Sequence, residues 1–369
     1  MKIIRLNHQP DYVLAWLVIA LILAGLAILT SASVVLSQEK FNSSYYFIKH
    51  QLINGLLPGI LFLFIGLRIN YRFWKKIALI LLILSIVLLI LVFFPQFGYS
   101  YGGAKRWLAL GPLTIQPAEI AKLAFILYLA ALLDKKKEEI NNIIHGLFPF
   151  LIVVVVLTVL LMLQPDFSTL LIIVFIGFAI YFLAGAKISL IATIGAIAAL
   201  ISLALIKIAP YRAQRLTVFL HPEIDPQGIG YQINQALLAI GAGGLFGRGL
   251  GHSVQKFLYL PEAIGDSIFA IAAEEIGLLG TAVIIFLFLA LGYRGFMIAK
   301  NAPDNFSKLL AGGIVFWIVF QAFMNISSIC GLIPLTGVPL PFISYGGSSL
   351  AITLAGIGIL LNISKYSHS

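Results

Sequence analysis

The chain has 369 residues, of which 61% are hydrophobic and only 10% charged. A soluble domain of that size cannot bury so much apolar surface, which excludes an ordinary water-soluble enzyme and points to a polytopic helical membrane protein. The length accommodates about ten spans of ~20 residues. The net charge of +10 then reflects Lys and Arg in cytoplasmic loops, and no nucleic-acid partner is implied. The single cysteine, Cys330, excludes an intrachain disulfide and a cysteine-built metal site.

Lys2 and Arg5 precede the first apolar run, and Thr30 to Ser33 has the small residues of a cleavage site. The run from Tyr12 to Leu29 is too long for a signal core of about 7–15 residues, so it reads as an uncleaved first span. Further apolar blocks follow at 46–66, 77–94, 117–133, 143–163, 168–185, 188–208, 267–292, 308–331 and 348–363. Basic residues gather in alternate loops: Arg68 to Lys76, Lys135 to Lys137, Lys187, Arg294 to Lys308, and Lys365. Their excess places both termini in the cytoplasm. The loops at 35–45, 95–116, 164–167, 209–266 and 332–347 then face outward. The expectation is an all-α polytopic membrane protein with about ten transmembrane helices, forming one domain over 1–369. One large extracytoplasmic loop, 209–266, lies between spans 7 and 8. No internal repeat of the transporter kind is visible.

In the second outward loop, Lys105, Arg106 and Trp107 are adjacent. They make an interfacial anchor or, with the guanidinium fork of Arg106, a contact for a phosphate group. Pro117 suits the first turn of a helix. Glu119 and Lys122 share one face of that helix, as a structural ion pair or as part of a polar cavity. Asp166 follows Gln164-Pro165 in a short hairpin, as a helix N-cap or as a further cavity residue.

The large loop carries Arg212 and Arg215, which share a face where this piece is helical. An amphipathic stretch runs from Ile233 to Ile240. Six glycines between Gly241 and Gly251 give a tightly turning backbone. It is no P-loop, because the Gly-Lys-Ser/Thr ending is missing. Next come Lys256, Glu262 and Asp266, then an apolar helix carrying Glu274 and Glu275. Asp266 sits at a water–apolar boundary, where a carboxylate holds its proton more tightly and can act as a base. Nearby cations would steady a departing diphosphate. That set suits displacement at a sugar anomeric carbon with a lipid diphosphate leaving; N-capping of the helix is the alternative role for Asp266. About two and a half turns along, Glu274 is expected to follow the Asp266 face and Glu275 to point away into a structural network. The last loop, from Pro334 to Ser349, holds prolines and glycines at membrane depth, which requires cover by protein or a wet cavity.

Several of these stretches together resemble one family. They are Arg106-Trp107, Gln116-Pro117-Ala-Glu119-Ile-Ala-Lys122, Gln164-Pro165-Asp166, Gly249 to Lys256, Tyr259-Leu-Pro-Glu262-Ala with Asp266, Glu274-Glu275-Ile-Gly277, and the Pro334–Ser349 loop. In order and over almost the whole chain they are similar to the SEDS family (shape, elongation, division and sporulation), which comprises FtsW and RodA. Ser31-Ala-Ser33, Tyr45 to Lys49 and Gln255-Lys256 look more like FtsW. The resemblance implies a peptidoglycan glycosyltransferase of the bacterial cytoplasmic membrane. It would polymerise lipid II into a nascent glycan strand on the outer face, release undecaprenyl pyrophosphate, and work with a class B penicillin-binding transpeptidase. It implies Asp266 as the general base and Lys105, Arg106, Arg212, Arg215 and Lys256 as diphosphate contacts. Glu119, Lys122, Asp166, Glu262 and Glu274 would support them. No cofactor is implied with certainty; a divalent cation, Mg or Mn, is the candidate, and its ligands are not identified. Where the family has His-Thr before the aspartate and Phe after it, this chain has Ile264-Gly265 and Ser267. Two rival classes stand beside the enzyme: a lipid II flippase or transporter, and a non-catalytic scaffold for a transpeptidase.

Overall fold

The computed structural model describes residues 9–101, 104–111, 113–142, 146–208, 210–221, 224 and 228–367. The first span is α1 (Tyr12–Phe41), opened by the Asp11 carboxylate accepting from the Leu14 amide at 2.9 Å and closed at Asn42 in a left-handed conformation. Asp11 thus satisfies one of the amides a helix start leaves orphaned. The second span is α2 (Tyr46–Gln51), continuing through a π-helical turn (Leu52–Leu56) into α3 (Leu57–Arg68). Then come α4 (Tyr71–Leu91), α5 (Pro117–Lys135), α6 (Phe148–Leu163), α7 (Phe167–Leu183) and α8 (Ile188–Ile208). Two helices fill the large loop, α9 (Pro210–Leu220) and α10 (Ile229–Gly243). The chain ends in α11 (Ile268–Lys300), α12 (Asn305–Ile329) and α13 (Gly347–Ser364).

Among the described residues six helical stretches are long and apolar enough to cross a membrane, and α6, α7 and part of α8 are shorter apolar helices. With α5, whose apolar run is interrupted by Glu119 and Lys122, they supply the ten predicted passes. The spans of α12 and α13 are 72% and 78% buried, against 22–33% for the other long spans, so these two form the centre of the bundle. Close approach drives the packing of α3 on α13: Gly59 lies against Leu354 and Ala351, and Gly66 against the backbone of Gly358 and Ile359. Small residues let helix backbones meet where lipid provides no hydrophobic drive.

Two features depart from the sequence expectation. Residues 98–115, read as an irregular loop, form a three-stranded antiparallel sheet, β1 (Gly98–Tyr101), β2 (Ala104–Leu110) and β3 (Leu113–Ile115), in the order β1-β2-β3. Its aromatic and β-branched residues favour pairing, and Gly111 with positive φ makes the turn. The second feature is in α11. Gly277 has φ 68° and ψ −172°, which divides α11 into a short segment before it and a long one after it.

Hydrogen bonds tie the loops of one end of the bundle together. Gln116 N donates to Ser348 Oγ at 3.1 Å, Arg106 Nε to Gln164 O at 3.1 Å, and Ser168 Oγ to Thr336 O. The opposite end is joined by Arg294–Asp11 at 2.7 Å, by Tyr71 Oη donating to Asp304 at 2.7 Å, and by Lys75–Asp134.

Candidate active site

Asp266 lies one residue before Ser267, the N-cap of α11. The expected alternative of Asp266 as the helix cap is therefore not what this chain builds. Its loop is fixed by backbone contacts instead. The carbonyls of three successive residues are taken: Ile264 O by Tyr345 N at 2.9 Å, Gly265 O by Ser344 Oγ at 2.7 Å, and Asp266 O by Asn325 Nδ2 at 2.8 Å. The same Asn325 amide group donates to Val338 O at 2.8 Å. The final loop thus lies directly on the Asp266 loop, and a Cβ at Gly337 would sit 3.8 Å from Asp266 Oδ2.

With its backbone so held, the carboxylate is left for chemistry. Oδ1 is buried and has no hydrogen-bond partner. Burial, and next the charge of Glu262, push the Asp266 carboxyl up to about 7, against opposing effects of Arg215 and Gln232. Desolvation favours the neutral acid and a neighbouring anion does the same. Glu262 is itself raised, mainly by burial, with Lys40 opposing. Its Oε2 would lie 3.1 Å from a Cβ at Gly265, so glycine at 265 leaves room for this carboxylate to fold back toward Asp266.

Of the predicted cations, Arg215 is nearest in effect. It stands on α9 and donates to Leu335 O at 3.1 Å, in the loop that covers Asp266. Arg212 is on the same helix, but its side chain lies outside the described residues. Lys105 is exposed on β2. Arg106 is half-buried and spends two nitrogens on the carbonyls of Gln164 and Pro165, bracing the hairpin between α6 and α7. Asp166 caps α7, accepting from Thr169 N at 3.2 Å and Thr169 Oγ1 at 2.9 Å.

Lys256 is not brought to Asp266. Its ammonium is buried 3.2 Å from Glu275 Oε1 and donates to Gly251 O at 2.5 Å and Ser31 Oγ at 3.2 Å. Glu274 faces the same segment. It accepts from Arg248 Nη1 at 3.1 Å, Ser253 Oγ at 2.5 Å, Val254 N at 3.0 Å and Gln255 N at 3.3 Å. The expectation that Glu274 follows the Asp266 face is corrected, since its carboxylate holds the 248–256 loop, whereas Glu275 lies in a structural network with a cation, a hydroxyl and a backbone amide, as expected. The break at Gly277 makes this work. Carbonyls freed at Glu274 and Glu275 accept from Arg248 N and Gly249 N, and the amides of Leu278 and Leu279 donate to Gly244 O and Leu245 O. Four of the backbone groups at the break are matched by the glycine-rich run. That run is a stitched seam rather than a loose turn.

Glu119 and Lys122 form a buried pair, 2% and 0% exposed, at 2.9 Å. Lys122 also donates to Gln321 Oε1 at 2.7 Å, and Gln321 Nε2 donates to Pro339 O at 2.9 Å. The pair therefore supports the final loop from below. Gln321 and Asn325 on α12 were not singled out from the sequence. Amides inside an apolar span are themselves a signal for function or polar packing.

The family model described as "Cell cycle protein", FTSW_RODA_SPOVE, matches residues 12–369. The chain belongs to the FtsW/RodA/SpoVE family. It is 41% identical over 360 residues to Stage V sporulation protein E of Bacillus subtilis, covering 98% of each chain. It is also 41% identical over 356 residues to a probable peptidoglycan glycosyltransferase FtsW of Trichlorobacter lovleyi, covering 96% of this chain and 93% of that one. Among solved structures, a chain from a peptidoglycan synthase complex that coordinates polymerization and crosslinking superposes with a TM-score of 0.78 at 29% identity, over 96% of this chain and 97% of the other. The rod shape determining protein RodA of Thermus thermophilus gives 0.71 at 28% identity, over 98% of each. Membership of the FtsW/RodA/SpoVE family makes this a multi-pass membrane protein, as the apolar helices require.

Proposed function

We propose that this chain is a peptidoglycan glycosyltransferase that polymerises lipid II at the outer face of the bacterial cytoplasmic membrane, with Asp266 as general base. The observation that carries the reading is the Asp266 carboxylate: its backbone is pinned from three sides while Oδ1 is buried and unpartnered. In the charged form it takes the proton of the acceptor sugar hydroxyl. The hydroxyl oxygen forms a bond to the donor anomeric carbon, and the bond from that carbon to the diphosphate breaks. The electron pair leaves with undecaprenyl pyrophosphate, whose developing charge Arg215 stabilises. The leaving group needs no proton, so one carboxylate suffices as base.

The excess of Lys and Arg at the end opposite Asp266 supports cytoplasmic termini and an outward site. The likeness to a chain of a peptidoglycan synthase complex supports a class B penicillin-binding transpeptidase as partner. Among the described residues no group of three or more His, Cys, Asp or Glu is placed to hold a metal ion. Mg is ordinarily held by one or two carboxylates together with substrate phosphates, so a divalent cation stays the candidate that the sequence named, and no step above is routed through a metal.

Reconstituted into liposomes, the purified protein is expected to extend lipid II, and Asp266→Asn to insert normally and be inactive. Wild-type polymerisation by Asp266→Asn would remove the assignment. A vesicle assay that scores flipping separately from polymerisation distinguishes the transporter reading.

A further inference from the structure

Polymerisation joins two lipid-linked molecules, a donor and an acceptor, and each carries a diphosphate. Among the described side chains Arg215 is the one cation brought to Asp266, and one guanidinium cannot hold both. A second recess lies on the other side of the same loop, where α1 turns into α2. It has a volume of about 330 Å3 and is lined by Ser43, Tyr46, Lys49, His50, Ile53 and Asn54, at the lower end of ordinary ligand-site volumes. The side chains of Ser43, Lys49 and Asn54 make no hydrogen bond to the described residues, so one ammonium and two neutral polar groups are unspent around it.

This recess is wired to Asp266. His50 Nδ1 and the Tyr345 hydroxyl are 2.8 Å apart, and the Tyr345 amide donates to Ile264 O at 2.9 Å. Gln51 accepts from Gly346 N at 3.0 Å and donates to Ser344 O at 3.4 Å, while Ser344 Oγ holds Gly265 O. Lys40, at the end of α1, lies close enough to Glu262 to oppose its rise. Arg215 on α9 therefore acts on Asp266 directly, and the Asp266 loop is bonded through residues 344–346 to the α1–α2 corner that carries Lys49.

Resting on the glycosyltransferase reading, we infer that the Ser43–Asn54 recess binds the diphosphate head of the second lipid-linked sugar, with Lys49 as its cation. Lys49 supplies the point charge, and Ser43 and Asn54 donate to phosphoryl oxygens. The bond from His50 through Tyr345 to Ile264 sets the distance between that head group and the base.

The test reads Lys49 directly. Full-length Asp266→Asn protein in phosphatidylcholine nanodiscs is treated with an amine-acylating reagent, and modification of each lysine is followed by mass spectrometry. Saturating farnesyl diphosphate is expected to slow acylation of Lys49 about tenfold, as a charge-assisted contact of ordinary strength would. Lys308, at the other end of the bundle, keeps its rate. An unchanged rate at Lys49 overturns the proposal. Equal protection by phosphatidylglycerol also overturns it, because the recess is then a general phospholipid contact. In active protein, Lys49→Met raises KM for the lipid-linked substrate about tenfold and leaves kcat within about twofold. Because protection is read without turnover, a chain that fails to polymerise lipid II sinks the glycosyltransferase reading alone.

Discussion

Arg248 and Glu274 are joined twice, once through the backbone, Arg248 N to Glu274 O at 2.9 Å, and once through the side chains at 3.1 Å. The double link sits where the glycine-rich run meets the break in α11. It makes Glu274 the residue on which the path from α10 to Asp266 is hung. Arg248 is partly exposed, whereas the Glu274 carboxylate is 1% exposed. The charge is satisfied by one cation, one hydroxyl and two amides, the pattern that makes a buried anion tolerable.

Glu274→Ala leaves Ser253 Oγ, Val254 N and Gln255 N without their acceptor. The expected cost is on the order of 3 kcal/mol. Hydrogen exchange is the measurement, with the amides of 248–256 losing protection while α12 and α13 keep theirs. Because this segment runs into the Asp266 loop, polymerase activity falls with it. Unchanged protection at 253–255 would show that the carboxylate is not what orders the loop.

Gly277→Ala is expected to be worse than an ordinary helix substitution. The residue has φ 68°, and a methyl group there would overlap the Gly247 amide and the Phe246 carbonyl carbon. Gly247, with φ 80°, faces the Glu275 carbonyl at the same seam. Neither strain can relax without parting the two backbones. Both variants should lower the thermal midpoint in detergent, while Gly195→Ala, where nothing lies within 4 Å, should leave it unchanged.

The Asp266 carboxyl, raised from 3.8 to about 7 by burial and then by Glu262, gives a pH dependence of definite sign. A general base works deprotonated, so kcat/KM rises with pH through about 7 and levels above it. Glu262→Gln removes a neighbouring anion and shifts that limb to lower pH. Stability moves the other way. A folded-state value above the unfolded one favours the protonated folded form, so the contribution is fully present below 3.8 and is lost as pH rises to about 7. At pH 8, Asp266→Asn should therefore melt no lower than the wild type while being inactive. A lower midpoint would show that the charged carboxylate stabilises the fold.

Much of this was legible in the sequence. The ten apolar blocks and the position of Asp266 at the mouth of one of them follow from hydropathy and charge alone. The first-turn Pro117 was also readable, and the condition set for Arg212 and Arg215 to share a face is met by α9. Glu119 with Lys122, and Asp166 as a cap, were readable as well; what could not be read was the partner of the charges in the large loop. Lys256 looks like a diphosphate ligand because it is near Asp266 in sequence, yet the chain turns between them and gives it to Glu275. The break at Gly277 was invisible because flanking residues are good helix formers. Only the facing 244–249 run, hydrogen-bonding across from 26 or 34 residues away in sequence, satisfies the backbone there. The sheet at 98–115 was missed because its strands are short and one-sided.

The buried pair Glu119–Lys122 offers the last test. Two full charges lie 2.9 Å apart at 2% and 0% exposure, with Lys122 also 5.2 Å from the centre of the Trp317 ring. Glu119 Oε2 is buried without a hydrogen bond. Such a pair contributes little net stability because desolvation offsets attraction, whereas removing one partner strands the other. Glu119→Gln and Lys122→Met are each expected to cost about 3–5 kcal/mol, and the double variant much less than their sum. Activity separates support from stability. Lys122 holds Gln321, and Gln321 holds Pro339 in the loop that covers Asp266, so the double variant should recover its thermal midpoint and not its polymerase rate. Recovery of both would place the pair outside the path to the site; recovery of neither would mean that the charges themselves organise the core of the bundle.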